Sequence, residues 1–172
     1  MYNGRVRRAE LAAESLRRTI SPDGGRLEPV DLNAAAEYLG VTILSWQPDE
    51  NSLKGALIRS ARTVFVNASL SLPRMRFTAA HELGHYVLGH AGDYYCPSRL
   101  YAAREREANC FAAALLMPPS LVKSLWLKLD GMPPGAKARV VAERLAVSRE
   151  ALGYRLVTLG LASPALSGRR SA

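Results

Sequence analysis

The sequence contains few cysteines, few aromatic residues and no long run of apolar residues. The two cysteines, Cys96 and Cys110, are too few for a disulfide framework and lack the CxxC spacing of a metal-binding motif. The most apolar stretch, residues 108–122, is shorter than the roughly 18 residues that a membrane span needs, and it contains Pro118 and Pro119. These absences predict reduced cysteines and no membrane-spanning segment.

The first 19 residues also lack the apolar core of a secretory signal, and Glu10 and Glu14 argue against an organellar transit peptide. We therefore expect a cytoplasmic protein. The chain has 172 residues, of which 48% are hydrophobic and 22% are charged. This composition is typical of one globular domain, with or without a small appendage.

Acidic residues are scarce only in the C-terminal part of the chain. The net charge is +8, yet residues 1–120 hold 14 basic and 12 acidic side chains, whereas residues 121–172 hold nine and three. Such an excess is compatible with nucleic acid, with an acidic partner or with a surface that favours solubility. Charge alone leaves these three open.

Apolar periodicity and helix-capping residues predict the order of the elements. Asp31 is the predicted N-cap of a short helix that Gly40 ends, and Pro118 ends a later helix because it disfavours helical dihedral angles at the residue before it. The predicted helices cover residues 9–19, 32–39, 71–89, 104–117, 136–146 and 149–159, and the predicted strands cover residues 41–46, 53–59 and 63–67, the last two as a hairpin.

The segment His81-Glu82-Leu83-Gly84-His85 has the HExxH pattern within a predicted helix, which is the context that this pattern requires. Residues four apart lie on one helix face, so both imidazoles can reach one metal ion. Glu82 lies beside that face and can act on a water molecule instead of binding the metal. Gly84 costs about 1 kcal/mol relative to Ala in a helix, which indicates close packing or substrate access there.

A catalytic zinc site needs a third protein ligand. His90 is one position removed from the spacing that extends HExxH in metzincins, which favours a solvent-exposed or helix-capping role for it. Glu105 shares a helix face with Asn109, whereas Glu107 lies about 200° away, beside Phe111. We therefore prefer Glu105 as the ligand, with Asn109 as a hydrogen-bonding support, although helical glutamates are usually solvated.

The segments RFTAAHELGHYVLGH and EREANCFAAALLMP resemble the ImmA/IrrE family of zinc metallo-endopeptidases, and the resemblance covers most of residues 30–161. The resemblance implies that His81, His85 and Glu105 bind Zn²⁺ and that Glu82 is the catalytic residue. It also implies a partner, a helix-turn-helix repressor that the peptidase cleaves to release transcription in response to stress or mobile-element signals.

The expected fold is of the α+β class. Residues 1–120 are predicted to form a small zincin-like metallopeptidase domain, with a three-stranded antiparallel sheet packed on an active-site helix and a ligand helix. Glu82 would accept the proton of the attacking water and pass it to the leaving amine. An extended peptide could add to the edge of the hairpin. The candidates for a second oxyanion donor beside the metal are Tyr86, Tyr94, Tyr95 and Tyr101.

Residues 121–172 are predicted to form a helical segment that resembles a helix-turn-helix, followed by a disordered basic tail after Ser163. Ser148 is the predicted N-cap of the second helix. Arg144, Arg149 and Arg155 are candidates for contacts with DNA or with a partner protein. Docking of the repressor and simple structural support are the other roles considered for this segment.

Two other functions are compatible with the sequence. One is a DNA-binding regulator with a structural or vestigial metal site, and the other is a general cytoplasmic peptidase. The glutamate of HExxH favours an enzyme, because a purely structural zinc site has no use for it.

Overall fold

The computed structural model describes residues 2–21, 29–47, 53–90 and 98–163. Within these ranges the chain has an α+β fold of seven helices and one three-stranded sheet. The predicted basic tail lies outside the described residues. The elements are α1 (Tyr2–Ile20), α2 (Leu32–Leu39), β1 (Thr42–Trp46), β2 (Gly55–Ile58), β3 (Thr63–Asn67), α3 (Leu72–Val87), α4 (Ser98–Leu116), α5 (Pro119–Leu127), α6 (Pro134–Leu145) and α7 (Arg149–Thr158).

The sheet is mixed, and the prediction of an antiparallel sheet is wrong in this respect. The hairpin is confirmed, because β2 and β3 pair antiparallel with Ala56 opposite Phe65. However, the strand order is β1-β3-β2, and β1 pairs with β3 in parallel. The strand β3 buries Val64 and Val66 and occupies the centre, where both of its edges are paired. Strand patterns do not encode which strand becomes central, so the sequence did not reveal the parallel pair.

The predicted ends of α2 are confirmed. The Asp31 Oδ1 atom accepts hydrogen bonds from the backbone N–H groups of Asn33 (2.8 Å) and Ala34 (3.2 Å). Gly40 ends the helix in the left-handed region with φ of 63°, where a residue without a Cβ atom is favoured.

The helix α3 is confirmed from Leu72 to Val87 and carries the HExxH motif. The sheet packs on one side of it and α4 on another. A Cβ atom on Gly84 would lie 3.0–3.2 Å from the Phe111 side chain of α4. The close packing that Gly84 predicts is therefore present, and it brings the backbones of α3 and α4 together.

The helix α4 begins earlier than predicted and ends before Pro118, as predicted. The helix α5 was not predicted. The two prolines predict only the end of the preceding helix, whereas Pro119 also occupies the first turn of α5. Proline is well suited to that position, because its ring fixes φ near the helical value and its missing N–H is not needed there.

The helices α6 and α7 confirm the predicted helix pair. Ala146 connects them in the left-handed region with φ of 51°, and the Ser148 hydroxyl accepts a hydrogen bond from the Ala151 N–H. The boundary predicted at residue 120 falls in the first turn of α5 and stays a prediction. Buried side chains from both predicted parts belong to one hydrophobic core, among them Ala9, Leu83, Phe111, Leu115, Val141, Leu145, Leu152 and Leu156.

No single helix among the described residues is long and apolar enough to cross a membrane. The two helical segments Tyr101–Leu116 and Pro119–Leu127 meet that test only when taken together, and they are bent by 50° at their junction. Leu115, Leu116 and Val122 in these segments are fully buried in the core of the protein.

Candidate metal centre

The helices α3 and α4 bring together His81, His85 and Glu105, the three residues predicted to bind a metal. The Nε2 atoms of the two histidines lie 3.0 Å apart. The Glu105 carboxylate lies 3.3 Å from His81 Nε2 through one oxygen and 3.2 Å from His85 Nε2 through the other. Three ligand atoms of the types that zinc prefers therefore converge on one point.

The spacing of these atoms fits a metal ion. Nitrogen and oxygen ligands about 2.0–2.2 Å from zinc in a tetrahedral arrangement lie roughly 3.3–3.6 Å from one another. The observed separations of 3.0–3.3 Å are within a few tenths of an ångström of that range. Two histidines and one glutamate are also a known ligand set of catalytic zinc sites, which leave one coordination position for water or substrate.

Both histidines are neutral at neutral pH, which is the form that binds a metal. Burial is the largest cause that lowers the pKa of His81. Burial, with smaller contributions from the nearby His81, His90, Arg104 and Arg59, lowers the pKa of His85 to about 3. Neither imidazole must therefore lose a proton before it can bind an ion at pH 7.

Asn109 fixes the tautomer of His81. The Nδ1 atom of His81 lies 3.0 Å from the side-chain oxygen of Asn109. An amide oxygen can only accept a hydrogen bond, so Nδ1 carries the proton and the lone pair of Nε2 faces the centre. This contact is the one that the sequence analysis predicts for Asn109.

His90 and Glu107 support His85 in the same way, and the sequence analysis missed this. The His85 Nδ1 atom lies 3.0 Å from His90 Nδ1, and His90 Nε2 lies 3.2 Å from a Glu107 oxygen. Arg5 of α1 donates to the other Glu107 oxygen at 3.2 Å. With the proton of His85 on Nδ1 and that of His90 on Nε2, His85 donates a hydrogen bond to His90 and His90 donates one to Glu107. The lone pair of His85 Nε2 is then free to bind a metal.

The expectation of a solvent-exposed or capping His90 is thus wrong, and so is the alternative that Glu107 is a solvated helix glutamate. His90 is 8% exposed and Glu107 is 5% exposed. The signal was present in the sequence, because the helical periodicity already placed Glu107 beside Phe111, which is fully buried. A carboxylate on a buried helix face needs a partner, and a histidine is a suitable one.

Glu82 lies in a constrained position next to the strand β2. A Cβ atom on Gly55 would overlap the Thr78 side chain and lie 3.2 Å from Glu82 Oε1. Glycine at this position therefore allows the β2 backbone to run directly against the helix α3. Burial, with a smaller contribution from the Glu105 carboxylate, raises the pKa of Glu82 to about 7. In the sheet, β2 is an edge strand, with β3 on one side only.

The predicted tyrosines are scattered. The Arg59 guanidinium lies over the Tyr86 ring, with its central carbon 5.0 Å from the ring centroid. Arg59 also donates to the backbone oxygens of His85 and Tyr86 at 2.9 Å each. Tyr101 is 60% exposed and lies one turn before Glu105. Tyr94 and Tyr95 lie outside the described residues. The oxyanion donor therefore stays a prediction.

The three predicted C-terminal arginines have different environments. Arg144 and Arg149 are exposed. Arg155 is 4% exposed, and it donates to the Met117 backbone oxygen (3.0 Å) and to the Glu10 carboxylate (3.1 Å). The prediction that Arg155 contacts DNA or a partner is wrong, because its guanidinium joins α7 to α1 and α4 inside the protein. The apolar periodicity of α7 did not reveal this buried ion pair.

A peptidase family model described as the IrrE N-terminal-like domain matches residues 36–157. The chain is 30% identical over 109 residues to the radiation response metalloprotease IrrE of Deinococcus radiodurans. This aligned region covers 59% of this chain and 33% of the relative. It is 28% identical over 152 residues to the protein of the same name from Deinococcus deserti. That aligned region covers 84% of this chain and 53% of the relative. The chain thus spans between a third and about half of the length of these relatives.

A solved structure of a Mycobacterium tuberculosis transcriptional regulator has a similar fold, with a TM-score of 0.54. The match covers 84% of this chain and 46% of that protein, at 18% sequence identity. At this identity the likeness concerns the fold alone.

Proposed function

The chain belongs to the family of IrrE N-terminal-like peptidase domains, and on this premise we propose that it is a zinc-dependent endopeptidase that cleaves a helix-turn-helix transcriptional repressor. The observation that carries the proposal is the convergence of His81, His85 and Glu105 beside Glu82. The metalloprotease names of the two relatives support the reaction. The repressor substrate rests on the family resemblance of the HExxH and Glu105 segments. Because such repressors act in the cytoplasm, we propose that the reaction takes place there.

In the proposed enzyme, His81 and His85 would hold zinc through their Nε2 atoms, and Glu105 would hold it through its carboxylate. Zinc, when bound, supplies a Lewis acid that polarises the scissile carbonyl and lowers the pKa of a water molecule toward about 7. Asn109 and His90 keep the two imidazoles in the required tautomer by accepting their Nδ1 protons. The ligands are therefore oriented before the substrate arrives.

Glu82 is the proposed proton carrier. Its carboxylate accepts a proton from the attacking water and donates it to the nitrogen of the departing amine, so the group ends the cycle ionised as it began. Burial raises its pKa to about 7. A pKa near the working pH suits a group that must both accept and release a proton.

The edge of β2 is the proposed binding site for the peptide backbone. Its outer edge has no partner strand within the sheet of the described residues. Gly55 brings this strand against α3 beside Glu82. An extended peptide that pairs with β2 therefore passes next to the proposed proton carrier, and backbone hydrogen bonds provide part of its affinity.

The decisive experiment combines the zinc-loaded chain with a candidate helix-turn-helix repressor from the same organism and with a generic unfolded protein. We expect cleavage at one site in the repressor and little cleavage of the unfolded protein. Glu82→Gln should keep one zinc ion per chain and abolish cleavage, and a chelator should abolish wild-type cleavage. Robust turnover by Glu82→Gln would refute the proposal, whereas efficient cleavage of the unfolded protein would indicate a general peptidase.

The DNA-binding alternative has a separate test. Binding to DNA should be measured by mobility shift at several salt concentrations, because contacts with phosphates weaken steeply as salt rises. Arg144 and Arg149 remain exposed and could take part, whereas Arg155 is buried. Tight DNA binding by a chain that shows no chelator-sensitive cleavage would favour the alternative.

A further inference from the structure

A cavity of about 440 Å³ lies between α3, α4 and α7, next to the metal centre. Two of its lining residues belong to the surroundings of that centre. Asn109 accepts the hydrogen bond of His81, and Thr78 lies against Gly55, one turn before Glu82. The cavity therefore begins at the side of the proposed active site.

The lining of the cavity is mainly apolar. Phe77 of α3, Ala113 of α4 and Met117, which directly follows α4, are among its apolar residues. Five charged residues also line it. Lys54, Arg74 and Glu150 are exposed, whereas Arg155 and Glu10 pair with each other. Pockets that bind organic groups typically have volumes of about 300–1,000 Å³, with apolar walls and few polar groups. This cavity has a volume in that range and its wall area is mainly apolar, which suits a large apolar group.

One face of α7 forms a wall of this cavity. Its contributing residues are Glu150, Ala151, Tyr154, Arg155 and Thr158, which recur with helical spacing. In a DNA-binding helix-turn-helix, the second helix presents a face to the major groove. Here the second helix of the pair presents the face with these five residues to the cavity between α3 and α4. The structure thus gives α7 a position beside the proposed active site.

The edge of β2 indicates what enters the cavity. Gly55 borders Glu82, and the preceding residue, Lys54, lines the cavity. A peptide that extends along β2 past Glu82 therefore reaches the cavity within about one or two residues, at about 3.3 Å per residue. Alternate side chains of an extended peptide point to the same side, so one of them can enter.

We infer that this cavity is a specificity subsite, which binds a large aliphatic or aromatic side chain of the substrate close to the cleaved bond, and that α7 selects the side chain. The inference rests on the proposed peptidase function and adds to it. It also gives the helix-turn-helix-like segment a role in recognition of the substrate protein. The backbone of the substrate binds at β2, while α7 distinguishes its side chains.

The test is to determine the cleavage preference of the zinc-loaded full chain with a mixture of peptides that vary around the cut site. We expect wild type to favour a large apolar residue at one position. Ala151→Trp, which fills the cavity, should lower kcat/KM for those peptides by about 10–200-fold and shift the preference to small residues. Tyr154→Ala, which enlarges the cavity, should broaden the preference. Arg139→Trp on the exposed surface of α6 is the matched control and should keep the wild-type profile.

Each variant must bind one zinc ion and keep its helical circular dichroism, so that a folding defect is not mistaken for a change of preference. Cleavage without any apolar preference, or an unchanged profile in both cavity variants, would overturn the subsite and leave the peptidase function intact. Sequence-specific DNA binding that Tyr154→Ala abolishes would overturn it as well. Absence of cleavage by the zinc-loaded wild type, with peptides and repressor alike, would overturn the proposed function and the subsite together.

Discussion

The buried pair of His90 and Glu107 should control how tightly the centre binds zinc. His85 donates its Nδ1 proton to His90, and His90 donates its Nε2 proton to Glu107, so the negative charge of Glu107 makes His85 a better ligand. Glu107→Gln keeps the size of the side chain and an oxygen that can accept from His90, but it removes the charge. His90→Phe keeps an aromatic ring and removes the acceptor for the His85 Nδ1 proton.

The expected loss follows from these contacts. Replacing an outer hydrogen-bond partner of a metal-binding histidine typically weakens metal affinity by about 10–100-fold, which corresponds to about 1.4–2.7 kcal/mol. We expect Glu107→Gln near the lower end, because one hydrogen bond survives. His90→Phe should be near the upper end, because the His85 Nδ1–H then loses its buried acceptor.

The assay is a competition titration in which the protein and a coloured chelator share a limiting amount of zinc at constant pH. Thermal unfolding of the metal-free proteins shows whether each variant folds. Glu143→Gln is the matched control, since it makes the same change of charge at an exposed position of α6. Folded Glu107→Gln and His90→Phe proteins with the zinc affinity of wild type and Glu143→Gln would refute the reasoning.

Three further predictions concern single residues. Glu105→Ala removes one of the three ligands, so zinc affinity in the same titration should fall by more than the ~100-fold expected for an outer contact; wild-type affinity would exclude Glu105 as a ligand. Metal-free Glu82→Gln should exceed metal-free wild type in stability at pH 8 by up to about 3 kcal/mol, because the pKa of Glu82 is raised from 4.5 to about 7 and the folded state disfavours its charge. The difference should disappear below about pH 4.5, where Glu82 is protonated in both states, and urea unfolding that shows the same difference at both pH values would contradict this. Gly55→Ala should destabilise the fold by about 1–3 kcal/mol, because the new Cβ atom meets Thr78, Glu82 and the backbone of Phe65. The control in the same urea measurement is Gly135→Ala, whose new Cβ atom has no neighbour within 4 Å. Equal changes of stability in the two variants would contradict the packing argument.

The features that the sequence predicted correctly depend on residues close together in the chain. Asp31 and Gly40 mark the ends of α2 through contacts with residues two to four positions away. His81 and His85 face one point because they are four residues apart in one helix. Even the placement of Glu105 opposite them required only the helical periodicity of α4 and small residues on one face. The α+β class, the hairpin and the candidate ligand set follow from such local patterns.

Tertiary structure alone decided the rest. Glu107 meets Arg5 across 102 positions of sequence, and Arg155 meets Glu10 across 145. The parallel pair of β1 and β3 and the wall that α7 adds to the cavity likewise join distant segments. A local pattern specifies the face on which a side chain lies, but the partner on that face depends on how the elements pack. For this reason the sequence by itself predicted the candidate metal ligands, whereas the buried contacts behind them and the adjoining cavity became visible only when the helices were assembled around a common core.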